Sequence, residues 1–228
     1  MPSHAEITAF TLSLEVAAAA TLVSLPLAVA IAWLLARGTF WGRQALDAVV
    51  HAPLVLPPVV IGYLLLLTFG VRGPVGSWLD RVLGIRFVFT TAGAALAAGV
   101  MSFPLMVRAI RLSIDAVDGG LEWAARTLGA SRADVFRSVT LPLMLPGIVS
   151  GAIVAFAASL GEFGATITFA SNIEGETRTL PLAIYSAIQS PDGDRVALRL
   201  VLLSFALAVG ALWLAEVADR RVRRMLGR

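Results

Sequence analysis

Five stretches of this 228-residue chain are long, apolar and nearly free of charge. They run from about Val16 to Ala36, Ala48 to Val71, Phe87 to Val107, Leu143 to beyond Phe163, and Val196 to Ala215. The first holds 21 uncharged residues, about 32 Å of helix, enough to cross the hydrocarbon core of a bilayer. The pattern predicts an all-α, polytopic membrane protein of about five transmembrane helices. A cleaved signal peptide would carry positive charge ahead of a short apolar core. Here Arg37 and Arg43 follow the span and no Arg precedes it, so the span reads as a retained anchor with its N-terminus outside. The longest polar interval is Arg108 to Leu141. The apolar stretch from Thr179 to Pro191 is too short to cross and reads as a re-entrant or interfacial helix.

Composition supports this pattern. Hydrophobic residues are 58% of the chain and charged residues 14%, against roughly 25% charged in soluble domains. No cysteine is present, which excludes disulfides, thiolate metal sites and thiol nucleophiles. His4 and His51 are the only histidines, too few for the clustered His and carboxylates of a metal hydrolase, so no metal site and no catalytic residue is expected. All 18 basic residues are Arg. A Walker A phosphate loop needs Lys, so ATP and its Mg must be handled by another subunit if ATP drives this protein. The arginines cluster between spans and at the C-terminus, as charge that orients a membrane protein does, rather than as a nucleic-acid surface. With the N-terminus outside, inner segments hold 12 arginines, ending with Arg220, Arg221, Arg223, Arg224 and Arg228, and outer segments 6. The positive-inside rule favours that orientation.

The polar interval reads as two short helices, Gly120 to Gly129 and Ser131 to about Val139. Gly129 ends the first and Ser131 caps the second. Glu122, Ala125 and Gly129 share one face, with Leu121, Ala124 and Leu128 forming an apolar stripe beside it. Such a helix suits a groove on a partner. Ala124-Ala125, three residues, Gly129, nine residues, then Val139, Thr140, Leu141 and Pro142 resemble the coupling loop of ABC-importer permeases. That loop reads Glu-Ala-Ala ahead of the same glycine and Leu-Pro spacing. Trp123 stands where the motif has Glu, and Glu122 lies one residue earlier, so either could fill the acidic position.

Prolines and glycines mark a pathway. Pro53, Pro57 and Pro58 break the second stretch, and a break in a bilayer is tolerated where it faces protein or a water-filled cavity. Gly147, Gly151, Ala155 and Ser159 form a spine of small residues at four-residue steps, suited to a dimer face or to packing within the chain. Gly161 and Gly164 bracket Glu162, an ionisable group expected to hold a gate by pairing with an Arg or capping backbone N–H groups. Thr166, Thr168, Ser171 and Asn172 offer neutral polar groups to an oxyanion, unless they bond their own backbone. Arg178 could attract the anion from outside.

Leu160 to Thr168, Gly175 to Tyr185 and Pro53 to Gly76 resemble bacterial molybdate permeases, and tungstate and sulfate permeases share much of the pattern. The resemblance implies a MetI-like fold across residues 1–228, with 108–142 as a cytoplasmic coupling loop, in the bacterial inner membrane. It implies a homodimer, two cytoplasmic ABC ATPase subunits carrying ATP and Mg, and a periplasmic or extracellular oxyanion-binding protein. A secondary transporter or channel would want more intramembrane charge than Glu15, His51, Glu162 and Arg199 supply.

Overall fold

The structure, a computed structural model, describes residues 3–191 and 193–225, and every regular element among them is helical. Helix α1 spans His4–Arg37, 34 residues or about 51 Å. It begins at His4 rather than Val16. Ser3 and Glu6 cap it reciprocally. The hydroxyls of Thr8, Thr11 and Ser13 bond back to His4, Ile7 and Ala9 carbonyls, so these polar residues do not interrupt the helix.

The second apolar stretch is not a straight span. Helix α2 (Arg43–His51) passes through a 3-10 turn (Ala52–Leu54) to helix α3 (Pro58–Phe69), and the chain bends by 114° between the two arms. Pro58 bars Pro57 from helical geometry, and Pro57 takes ψ 136°. The 12 residues of α3 reach only about 18 Å, too short to cross alone. Helix α4 (Pro74–Leu83) follows, and Asp80 pairs with Arg86 at 2.8 Å beyond its end. That hydrogen bond holds the Asp80 carboxyl below its ordinary pKa.

Helix α5 (Thr91–Asp115) starts later than Phe87 and ends later than Val107. Thr90 caps it by accepting the Gly93 N–H, and the first residues of the supposed polar interval continue it. Helices α6 (Gly119–Thr127) and α7 (Arg132–Val135) lead to α8 (Leu141–Leu160). No loop separates α7 from α8: a π-helical turn, Phe136–Thr140, joins them into one helix over Arg132–Leu160. This corrects the expected end near Val139. Short helices α9 (Gly164–Phe169) and α10 (Leu180–Ile188) precede α11 (Asp194–Met225). The fourth stretch therefore ends at Leu160 and restarts at Gly164.

Among the described residues, three helices are long and apolar enough to cross a membrane (α1, α5 and Arg132–Leu160), or four with the bent pair. Helix α11, 32 residues, covers the fifth stretch. The side chains of Arg220, Arg221, Arg223 and Arg224, and all of Arg228, lie outside what is described.

The core lies where α1, α5 and α8 pack, around Ala28, Ala32, Leu35, Met106, Ile110 and Met144. Small residues bring these helices together. A Cβ on Gly99 would touch Ala20, and one on Gly147 would collide with Ser113. The small-residue spine of α8 thus faces α5 of the same chain, where Ser159 Oγ donates to Ser102 Oγ at 3.1 Å. Large apolar side chains point outward instead, among them Leu22, Val23 and Leu27 on α1 and Leu202 and Phe205 on α11.

Candidate functional site

Two regions carry the predicted residues. The first is the elbow formed by α6 and the π turn. Asp118 caps α6 by accepting the Gly120 N–H at 2.8 Å. Leu128 closes the helix, and Gly129 follows at φ +89°, a left-handed position where glycine is the natural occupant. A Cβ at Gly129 would meet nothing within 4 Å, so backbone conformation, not crowding, calls for glycine. Ser131 and Asp134 then form the capping box that starts α7.

The faces of α6 differ from the expected pairing of roles. Glu122 and Ala125 turn toward the protein and are partly buried. Glu122 Oε1 accepts a 2.7 Å hydrogen bond from Thr140 Oγ1 and lies 3.5 Å from Arg37 Nη2. Trp123 is 71% exposed and Leu128 88%, with Leu121 and Ala124 also exposed. The outward surface is therefore aromatic and aliphatic, and the carboxylate is an internal group. Val139, Leu141 and Pro142 are partly buried in the continuous helix. Pro142 lacks an N–H and crowds the carbonyl four residues back, and the widened turn lies directly before it.

The second region is the seam where the broken helices meet. Gly62 of α3 sits against α9 so closely that a Cβ there would lie 2.7 Å from the Ala165 carbonyl oxygen. A Cβ on Gly164 would lie 2.7 Å from Pro58 Cβ. Glu162, just past the C-cap Gly161, accepts the Ala165 N–H at 2.7 Å and so caps α9. It also lines a cavity of about 270 Å³ with Pro53, Leu56, Pro58, Met101 and Ser102. Pro57 stands at the bend beside this cavity as the residue preceding α3.

The predicted polar ligands do not converge there. Thr166 is buried, and Thr168 Oγ1 donates to the Gly164 carbonyl of its own helix. Asn172 and Arg178 serve each other: Arg178 Nε donates to Asn172 Oδ1 at 2.9 Å, and its Nη1 reaches Glu174 at 2.8 Å. Asn172 also donates to Ser186. Ser171 has φ +67°, unusual for a non-glycine residue, and its carbonyl accepts from the fully buried Thr177. Residues 171–179 thus form a braced loop in which the Arg178 charge is already paired. No group of three or more His, Cys, Asp or Glu residues able to hold a metal occurs among the described residues.

Sequence reasoning missed Arg37 and Thr140 as partners of Glu122, and Gly62 as the point where α3 closes on α9. Arg37 registered only as orienting charge, and Thr140 as the free slot between Val139 and Leu141. Gly62 carried no periodic signal of its own.

A helical bundle with a bent, proline-broken arm, a close-packed glycine seam and an exposed apolar elbow is the architecture of a transporter's membrane subunit. The chain belongs to the family of binding-protein-dependent transport system inner membrane components, which it matches over residues 24–224. It is 58% identical over 220 residues to the molybdenum transport system permease protein ModB of Escherichia coli K12, covering 95% of this chain and 96% of that one. It is 36% identical over 186 residues to a probable sulfate transport system permease protein, cysT, of Chlorella vulgaris, covering 82% and 70%. Its fold matches a bacterial alginate ABC transporter in complex with a periplasmic protein bound to an alginate pentasaccharide, with TM-score 0.76 at 17% identity over 96% of this chain and 80% of that one. At that identity the likeness speaks of fold alone.

Proposed function

We propose that this chain is the membrane permease subunit of an ATP-driven molybdate importer. The observation that carries the reading is near-full-length identity of 58% to a molybdenum permease, against 36% to a sulfate permease. The exposed face of α6, Leu121, Trp123, Ala124 and Leu128, docks into the ATPase subunit on the cytoplasmic side. The N-terminus of α1 then lies outside. A chain without Lys has no phosphate loop of its own, so ATP and Mg bind the two partner ATPase subunits. The permease acts as a homodimer, and a binding protein delivers the oxyanion to its outer surface. The cavity beside Glu162 belongs to the pathway. Because it holds a carboxylate and few donors, it lets an anion pass rather than binding it tightly.

The test is ATP hydrolysis by the reconstituted complex with binding protein loaded in turn with molybdate, tungstate or sulfate. Molybdate should stimulate hydrolysis and drive uptake. Stimulation by sulfate alone would assign the chain to the other oxyanion, and uptake by the chain without an ATPase would remove it from ATP-driven transport.

A further inference from the structure

We infer that Glu122 is an internal tie that carries motion from α6 into the pathway helices, rather than a contact with the ATPase. This rests on the permease reading above and deepens it. One carboxylate oxygen, Glu122 Oε1, joins three elements. It accepts from Thr140 Oγ1 at 2.7 Å, at the π turn that begins α8. It pairs with Arg37 Nη2 at 3.5 Å, in the last turn of α1. The same Nη2 donates to the Ile114 carbonyl at 3.4 Å, near the end of α5. The end of α1 and the start of α8 thus meet α6 through a single carboxylate, and Arg37 links α5 to the same point.

The surroundings fit this role. Thr140 is buried and the Glu122 side chain is only 15% exposed, so the bond between them is shielded from competing water. Helix α6 packs otherwise on α7 and the π turn. A push on its outward face reaches the bundle through the short connections at either end and through Glu122. The π turn is a natural joint, since its widened ladder yields more readily than an α-helical one. Trp123, one residue on, takes the outward position and leaves the carboxylate free for this task.

The experiment compares Glu122→Ala, Glu122→Gln and Thr140→Val in the reconstituted complex, reading molybdate imported per ATP hydrolysed and the ATPase that copurifies. Glu122→Ala and Thr140→Val should retain the ATPase while import per ATP falls about tenfold. Glu122→Gln, whose amide oxygen still accepts from Thr140, should recover part of the loss. The Ala/Val double variant should be no worse than Glu122→Ala, because both remove one bond. Unchanged import per ATP, losses that multiply in the double variant, or an ATPase that no longer copurifies with Glu122→Ala would each overturn the tie. If Glu122→Ala does not fold, Thr140→Val decides, since it removes the donor at constant volume. Amide exchange of α6 in the purified chain gives a readout independent of transport: it should quicken in Thr140→Val, and no change would overturn the tie. A wild-type complex that imports nothing on ATP would instead sink the permease reading.

Discussion

Single residues in the elbow divide into those that shape it and those that face outward. Gly129 shapes it: at φ +89° a Cβ costs about 1 kcal/mol in backbone strain although space is open around it. Gly129→Ala should lower the thermal stability of the purified protein measurably, and Gly129→Asn should lower it less, since Asn tolerates the left-handed region. Ala124→Asp leaves the backbone unstrained and places charge on the exposed apolar face. It should leave stability unchanged and reduce the ATPase that copurifies. The spacing from Gly129 to Pro142 was legible because it is written in residue types at fixed offsets. The direction of Glu122 was not. A shift of one residue rotates a side chain by about 100° on a helix, and only the positions of Arg37 and Thr140 decide which way it faces.

Elements followed hydropathy where burial is uniform and departed from it where proline or capping intervened. The apolar run from Ala48 to Val71 has the length of a span, but its three prolines turn it through 114°. Their disruptive effect was readable; the size and placement of the bend were not, because these depend on what α3 packs against. That partner is α9, at a seam where Gly62 lies against the Ala165 main chain and the Thr168 Cβ. Gly62→Ala would place a Cβ 2.7 Å from a backbone carbonyl oxygen, a clash with nothing flexible to absorb it, costing about 2 kcal/mol. Thermal unfolding in detergent should register that loss. Gly161→Ala, where a Cβ finds its nearest neighbour at 3.8 Å, should cost far less. The start of α1 was missed because the uncharged run is bounded by Glu15, whereas that side chain is exposed within the helix and the hydroxyls of Thr8, Thr11 and Ser13 beyond it are satisfied by the helix backbone.

At the scale of the molecule, chain ends far apart in sequence are joined at the end of the bundle opposite the elbow. Glu6, buried at the start of α1, pairs with Arg199 of α11 at 2.9 Å. Ser13 accepts the Leu180 N–H at 2.7 Å, tying α10 to α1. Arg199→Ala would strand a buried carboxylate and should cost about 2 kcal/mol, less than for a fully buried pair because the Arg199 side chain is half exposed. Adding Glu6→Gln should restore part of the lost melting temperature. The sequence offered both residues but no means of pairing them across 193 positions.

The fit of Gly62 to Ala165 constrains how this molecule can change shape. A glycine seated directly on the Ala165 main chain and the Thr168 Cβ acts like a keyed joint: neither piece can spin or creep along the other without first lifting off. Were the proposed pathway to run beside that joint, local breathing there would not widen it. It would instead swing as a stiff panel, with the proline corner or Gly161 as the pivot.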